Sequence, residues 1–202
     1  FRHYGWDTPD TPCNYLLLSY EPQGRITLGT SFTDQFLCRF APANRVVYAL
    51  RSTGEGHQFD VFGIISALQA FAEEGLPVRI LGFPAFLWQA LQRMQALCMP
   101  DLELPAKSLV FFGGGWKTRA ADEIPKQQLY TAIHSQLGIE LSRCRDGYGA
   151  VEHAVPNWVL RAALHWGLFW GGWYSCRTGE QQSAVRDPHH FEFRGTPELA
   201  RA

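Results

Sequence analysis

The stretch Pro77-Val78-Arg79-Ile80-Leu81-Gly82-Phe83-Pro84-Ala85-Phe86-Leu87-Trp88-Gln89-Ala90-Leu91-Gln92-Arg93-Met94 and the following Ser108-Leu109-Val110-Phe111-Phe112-Gly113-Gly114-Gly115 decide the fold. Residues 77–81 form a short apolar run flanked by proline and glycine, as in a buried strand. Pro84 stands where a first helical turn tolerates proline, and Phe86, Leu87, Leu91, Met94 and Leu97 recur at helical spacing as an inward stripe. Residues 108–112 are again strand-like. The unit is therefore strand–helix–strand, and the same rhythm extends on both sides. Val46–Leu50 reads as a strand. Asp60 caps a helix with apolar positions 61, 64, 65, 68, 71 and 72, which Gly75 closes. Pro125 opens a third helix with Leu129, Ile133 and Leu137 on one face and Gly138 as its stop. Ile139–Cys144 reads as a fourth strand, ending in Gly147-Tyr148-Gly149. Strands alternating with helices of this length predict an α/β fold, a mainly parallel sheet with helices on its faces.

Residues 1–45 are punctuated by Pro9, Pro12, Pro22 and Pro42 and by Gly5, Gly24 and Gly29. They are expected to be irregular, with room only for short strands such as one at Tyr15–Leu18. The C-terminal residues 158–202 are rich in tryptophan and histidine and fit neither period cleanly, so a boundary is expected between 1–157 and 158–202.

The 202 residues carry 18 basic and 19 acidic side chains, a net charge of -1, which argues against a broad nucleic-acid surface. No run of apolar residues is long enough for a spanning helix. The five cysteines form no CxxC pair, so neither a zinc ribbon nor a thioredoxin-type redox pair is encoded; isolated thiols suit a reducing cytosol, and a cytoplasmic location is expected. The chain begins with Phe1 rather than methionine.

In sheets of this type ligands sit outside the carboxyl ends of the strands, and two glycine clusters fall there. In Gly113-Gly114-Gly115-Trp116-Lys117 the glycines let backbone N–H groups approach a flat or charged ligand, and Lys117 offers positive charge to a phosphate or carboxylate. The plainer alternative is a flexible turn with an exposed lysine. In Asp146-Gly147-Tyr148-Gly149-Ala150-Val151-Glu152 the pattern sets a ring against a planar ligand and, a few residues on, an acid able to hold Mg2+ near phosphates. The plainer alternative is a loop with a solvated glutamate. Ser52-Thr53-Gly54-Glu55-Gly56 looks like a phosphate loop but lacks a following lysine and reads as a turn.

The ordered set resembles the acyl-protein synthetases of bacterial bioluminescence, the long-chain-fatty-acid–luciferin-component ligases, which are similar to the wider adenylate-forming superfamily. The resemblance runs from about Gly29 to Trp158. It is carried by residues 77–84, Leu104-Pro105-Ala106-Lys107-Ser108, the glycine run through Lys117, Leu137-Gly138-Ile139 and Tyr148-Gly149-Ala150-Val151-Glu152. It implies that the sheet is part of the N-terminal domain of an adenylate-forming enzyme. Gly113, Gly114 and Gly115, with Trp116, would line the nucleotide and acyl pocket; Tyr148 would stack near the nucleotide, with Gly149 allowing close approach. Glu152 would bind Mg2+, with Lys117 as the second catalytic candidate. ATP and Mg2+ are the implied cofactors, a fatty acid the substrate and an acyl-reductase the implied partner. A fatty carboxylate would attack the α-phosphate of ATP, and the acyl group would pass to a protein thiol. The family's phosphate loop, its later ribose-binding acid and its C-terminal lid lysine have no counterpart in these residues, so the resemblance implies a fragment from the middle of a synthetase, inactive alone.

Two other readings stand beside it. An α/β-hydrolase or esterase would use the glycine triplet as an oxyanion loop, but no GxSxG elbow follows residue 115. A degenerate binding subunit would keep the fold without the chemistry.

Overall fold

The computed structural model describes residues 1, 4–23 and 29–147 and, beyond them, residues 149–150, 155–156, 168–170 and 191–193. The chain divides into two units, Phe1–Gly147 and Tyr148–Ala202. The first contains β1 (Cys13–Tyr20), α1 (Gly29–Leu37), a 3-10 turn (Cys38–Phe40), β2 (Ala43–Ser52), β3 (His57–Phe59), α2 (Val61–Glu74), β4 (Val78–Gly82), α3 (Pro84–Ala96), β5 (Leu109–Phe112), α4 (Lys126–Leu137) and β6 (Cys144–Asp146). In the second, β7 (Gly149–Ala150) pairs antiparallel with β8 (Val155–Pro156), and β9 (Leu168–Trp170) with β10 (Phe191–Phe193).

The main sheet has the order β3-β2-β1-β4-β5-β6, and only β3 runs antiparallel to its neighbour. This is the α/β architecture expected. The chain moves from β1 outward to β2, then crosses back past β1 to β4 and continues through β5 to β6. Right-handed crossovers in opposite directions place their helices on opposite faces. The core divides accordingly. Leu16, Leu18, Val78, Ile80, Val110 and Phe112 face the buried stripes of α2, α3 and α4. Tyr15, Leu17, Leu81 and Leu109 face the other way, toward Trp6, Ala41 and the α1 side. Alternation along each strand produces this division.

The helix boundaries follow their chemistry. Asp60 Oδ1 accepts from Gly63 N at 2.8 Å and caps α2. Pro84 occupies the first turn of α3, and α2 and α4 end on left-handed Gly75 and Gly138. The Ser52–Gly56 segment is a turn, closed by Thr53 N to Gly56 O at 2.9 Å; strand β3, rather than the helix directly, follows it.

Three local expectations are corrected. Residues 1–45 are not merely irregular: they contribute β1, eight residues long and central in the sheet, and α1, nine residues long. Strand β6 is Cys144–Asp146 rather than Ile139–Cys144, because Leu141–Arg143 turns as a 3-10 helix. Ile139 is still buried, packed from the loop. Leu97 caps α3 and is 46% exposed, so the inward stripe ends at Met94. Among the described residues no helix is long and apolar enough to cross a membrane.

Candidate functional site

The carboxyl edge of the sheet is laced by backbone hydrogen bonds one residue beyond the strand tips. Glu21 N donates to Leu50 O (2.8 Å), Phe83 N to Leu18 O (3.0 Å), Gly113 N to Gly82 O (3.0 Å) and Gly147 N to Phe112 O (2.6 Å). These bonds keep neighbouring tips in step and fix where each chain leaves the sheet.

At β4 the lacing depends on Gly82. Its φ is +119°, and a Cβ there would lie 2.7 Å from Leu18 O and 2.9 Å from Leu18 C. Only glycine meets both conditions. At β5 and β6 the two sequence motifs begin side by side. Phe112 pairs with Asp146, and a Cβ on Gly113 would lie 3.8 Å from Gly147 O. Gly114 and Gly115 follow with φ of +75° and +64°, so the chain turns on bare backbone. Trp116 is directed inward, 9% exposed, into the large core. It anchors the end of the glycine turn, and its carbonyl accepts from Arg119 N at 2.9 Å. Lys117 opens a 3-10 turn, Lys117–Asp122; its side chain lies outside the described residues.

Asp146, at the β6 tip, is engaged on both oxygens. Tyr130 Oη donates to Oδ1 at 2.7 Å and Lys126 Nζ lies 2.5 Å from Oδ2. Burial, then the bond to Asp146, holds the Tyr130 phenol well above its ordinary range. The Asp146 carboxylate thus ties the first turn of α4 to β6. Tyr148 and Glu152 lie outside the described residues, and Gly149 belongs to β7 in the second unit. Of the residues in the two motifs, the structure brings Gly113 beside Gly147.

The topological switch point lies between β1 and β4, whose outgoing connections run in opposite directions, and it is the default ligand crevice of such sheets. Here the structure adds residues the sequence reading did not single out. Ser19 Oγ donates to Asp34 Oδ2 at 2.5 Å, joining β1 to α1. Asp34 is only 6% exposed. Burial pushes its carboxyl up to about 6, with the Ser19 bond opposing. Burial also pushes the Cys38 thiol up to about 12, with Asp34 adding to it and Arg79 opposing. Around the β1 tip, Tyr20 lies edge-on to His57 and Phe83, with ring centroids 5.1 and 6.3 Å apart. His57 Nε2 is 2.7 Å from Glu21 O. The signal missed was the polar end of an otherwise apolar strand, Leu16-Leu17-Leu18-Ser19.

Among the described residues no cluster of three or more His, Cys, Asp or Glu side chains could hold a metal ion. No protein-family model matches the chain, and no curated protein matches it significantly in sequence.

Proposed function

We propose that the chain is part of an adenylate-forming ligase that activates a long-chain fatty carboxylate with ATP and passes the acyl group to a protein thiol. The observation that supports this reading is the juxtaposition of the two motif strands, with Phe112 paired to Asp146 and Gly113 and Gly147 side by side just beyond them at one edge. Gly113 N and Gly147 N already donate to Gly82 O and Phe112 O, so in this reading the N–H donors for a flat or anionic group would come from Gly114 and Gly115, where the chain turns on bare backbone. In this reading Gly113, Gly114 and Gly115 face the nucleotide, Tyr148 stacks on it, and Lys117 offsets phosphate charge. Glu152 would hold Mg2+, which supplies charge neutralisation at the α-phosphate as the carboxylate attacks. Asp146 is a poor alternative metal ligand, since both its oxygens already accept. The acyl-reductase partner and the link to luminescence belong to the same proposal.

The hydrolase reading finds less support. Among the described residues the edge serine, Ser19, bonds to Asp34 rather than to a histidine. The test is ATP–pyrophosphate exchange by the intact protein with and without long-chain fatty acids. Fatty-acid-stimulated exchange is expected. Glu152→Gln should abolish it, by about 100-fold or more if the metal-held charge is lost, while circular dichroism stays unchanged. Exchange at the wild-type rate in that variant would remove Glu152 from the mechanism. Ester hydrolysis without ATP would favour the hydrolase, and neither activity would favour a binding subunit.

A further inference from the structure

We propose that α1 is seated on the sheet by a proton-linked latch, the buried Ser19–Asp34 pair, which holds the helix more tightly when Asp34 carries a proton. The inference stands apart from the ligase reading.

The geometry has three parts. First, the described side chains of α1, residues 33–37, put little apolar surface in the core. Of its described side chains Thr33, Gln35 and Phe36 are exposed, Phe36 by 57%, and Leu37 is half-buried against the smaller core cluster. Second, the buried residue among those described side chains is a carboxylic acid, and what offsets its burial is one neutral hydroxyl, Ser19 Oγ at 2.5 Å. A buried carboxylate without a cation is costly, so the docked helix favours the protonated acid. Third, the thiol and the phenol beside Asp34 are both raised by burial and do not titrate with it. Cys38, on the turn that follows α1, is pushed up to about 12, and Tyr48 on β2 is raised by burial and by Asp34, Cys38 and Glu21. Arg79 on β4 opposes the rise at Cys38. Of Asp34, Cys38 and Tyr48, Asp34 is the one that changes charge through the mildly acidic range.

The sign follows from linkage. Docked, Asp34 titrates at about 6; released into water it returns to 3.8. Between those values only the docked form holds the proton, so docking weakens as pH rises from about 4 to about 6 and is level above that. From pH 5 to pH 7.5 these two values give an opening equilibrium about tenfold larger. Undocking would uncover the side of β1 and β2 that carries Tyr15, Leu17 and Tyr48, next to the switch point.

Hydrogen exchange of the α1 peptide, residues 29–37, measured in the intact chain and corrected for intrinsic rates, tests this. Wild type should show opening that grows about tenfold from pH 5 to pH 7.5. Asp34→Asn should flatten the profile. Ser19→Ala removes a bond that favours the ionised acid, so its midpoint should move above pH 6. A flat wild-type profile, or the wild-type slope persisting in Asp34→Asn, overturns the latch. If Asp34→Asn does not fold, Ser19→Ala decides: a midpoint that stays or falls overturns it.

Discussion

Replacing Gly82 by alanine should weaken the whole parallel sheet, and the size of the effect can be worked from its surroundings. Gly82 has a φ of +119°, and its missing Cβ would stand 2.7 Å from Leu18 O, a backbone atom held in the neighbouring strand. A non-glycine residue at such a backbone conformation costs about 1–3 kcal/mol. Relieving the clash means moving β1 from β4 at the point where Phe83 N donates to Leu18 O at 3.0 Å. Losing that bond adds about 1 kcal/mol. The sum is about 3 kcal/mol, and with a urea dependence of about 2 kcal/mol per molar the unfolding midpoint should fall by about 1.5 M. Gly54→Ala is the control. Gly54 has φ +87° but open space around it, so strain alone applies, about 1 kcal/mol and a fall of about 0.5 M. Far-ultraviolet circular dichroism against urea reads both. Equal midpoints for Gly82→Ala and Gly54→Ala would refute the argument, since close approach would then contribute nothing.

Two further substitutions test buried polar pairings. Ser108 Oγ accepts from the buried Val78 N at 2.9 Å; Ser108→Ala leaves that N–H without its acceptor and should cost about 1–3 kcal/mol, seen as a lower thermal midpoint. Tyr130→Phe removes one of the two donors to the half-exposed Asp146 and should cost about 1 kcal/mol. Because the folded phenol is raised, only the unfolded chain releases its proton as pH climbs past the ordinary tyrosine range. Stability therefore falls there in wild type, and that alkaline slope should shrink in Tyr130→Phe when denaturation is followed against pH.

What could be read from the residues depended on how many local signals agreed. From Val46 onward, period, caps and glycine stops pointed the same way, and α2, α3, α4, β4 and β5 lie where those signals set them. Strand β1 was harder. Cys13-Asn14-Tyr15-Leu16-Leu17-Leu18-Ser19-Tyr20 is covered on both faces, so it shows no alternation, and it contains no β-branched residue. Helix α1 starts Gly29-Thr30-Ser31, poor helix formers, and buries an aspartate where an apolar stripe was the cue. At the edge, the glycine triplet was legible as a turn on bare backbone, and Gly114 and Gly115 take left-handed φ. The Ser19–Asp34 pair was not, since its partners are 15 residues apart and an aspartate on a short helix reads as a solvated side chain.

The place of β1 in the sheet also bears on how the protein is made. It lies between β2 and β4, both of which are made after it, so Cys13 must wait for Ala43 and Asn14 for Val78 before both its edges are filled. Until β4 has emerged as well, the nascent chain holds this largely apolar strand with at least one flank open, a natural substrate for chaperones. Any truncation that removes it would leave two half-sheets with nothing to join them.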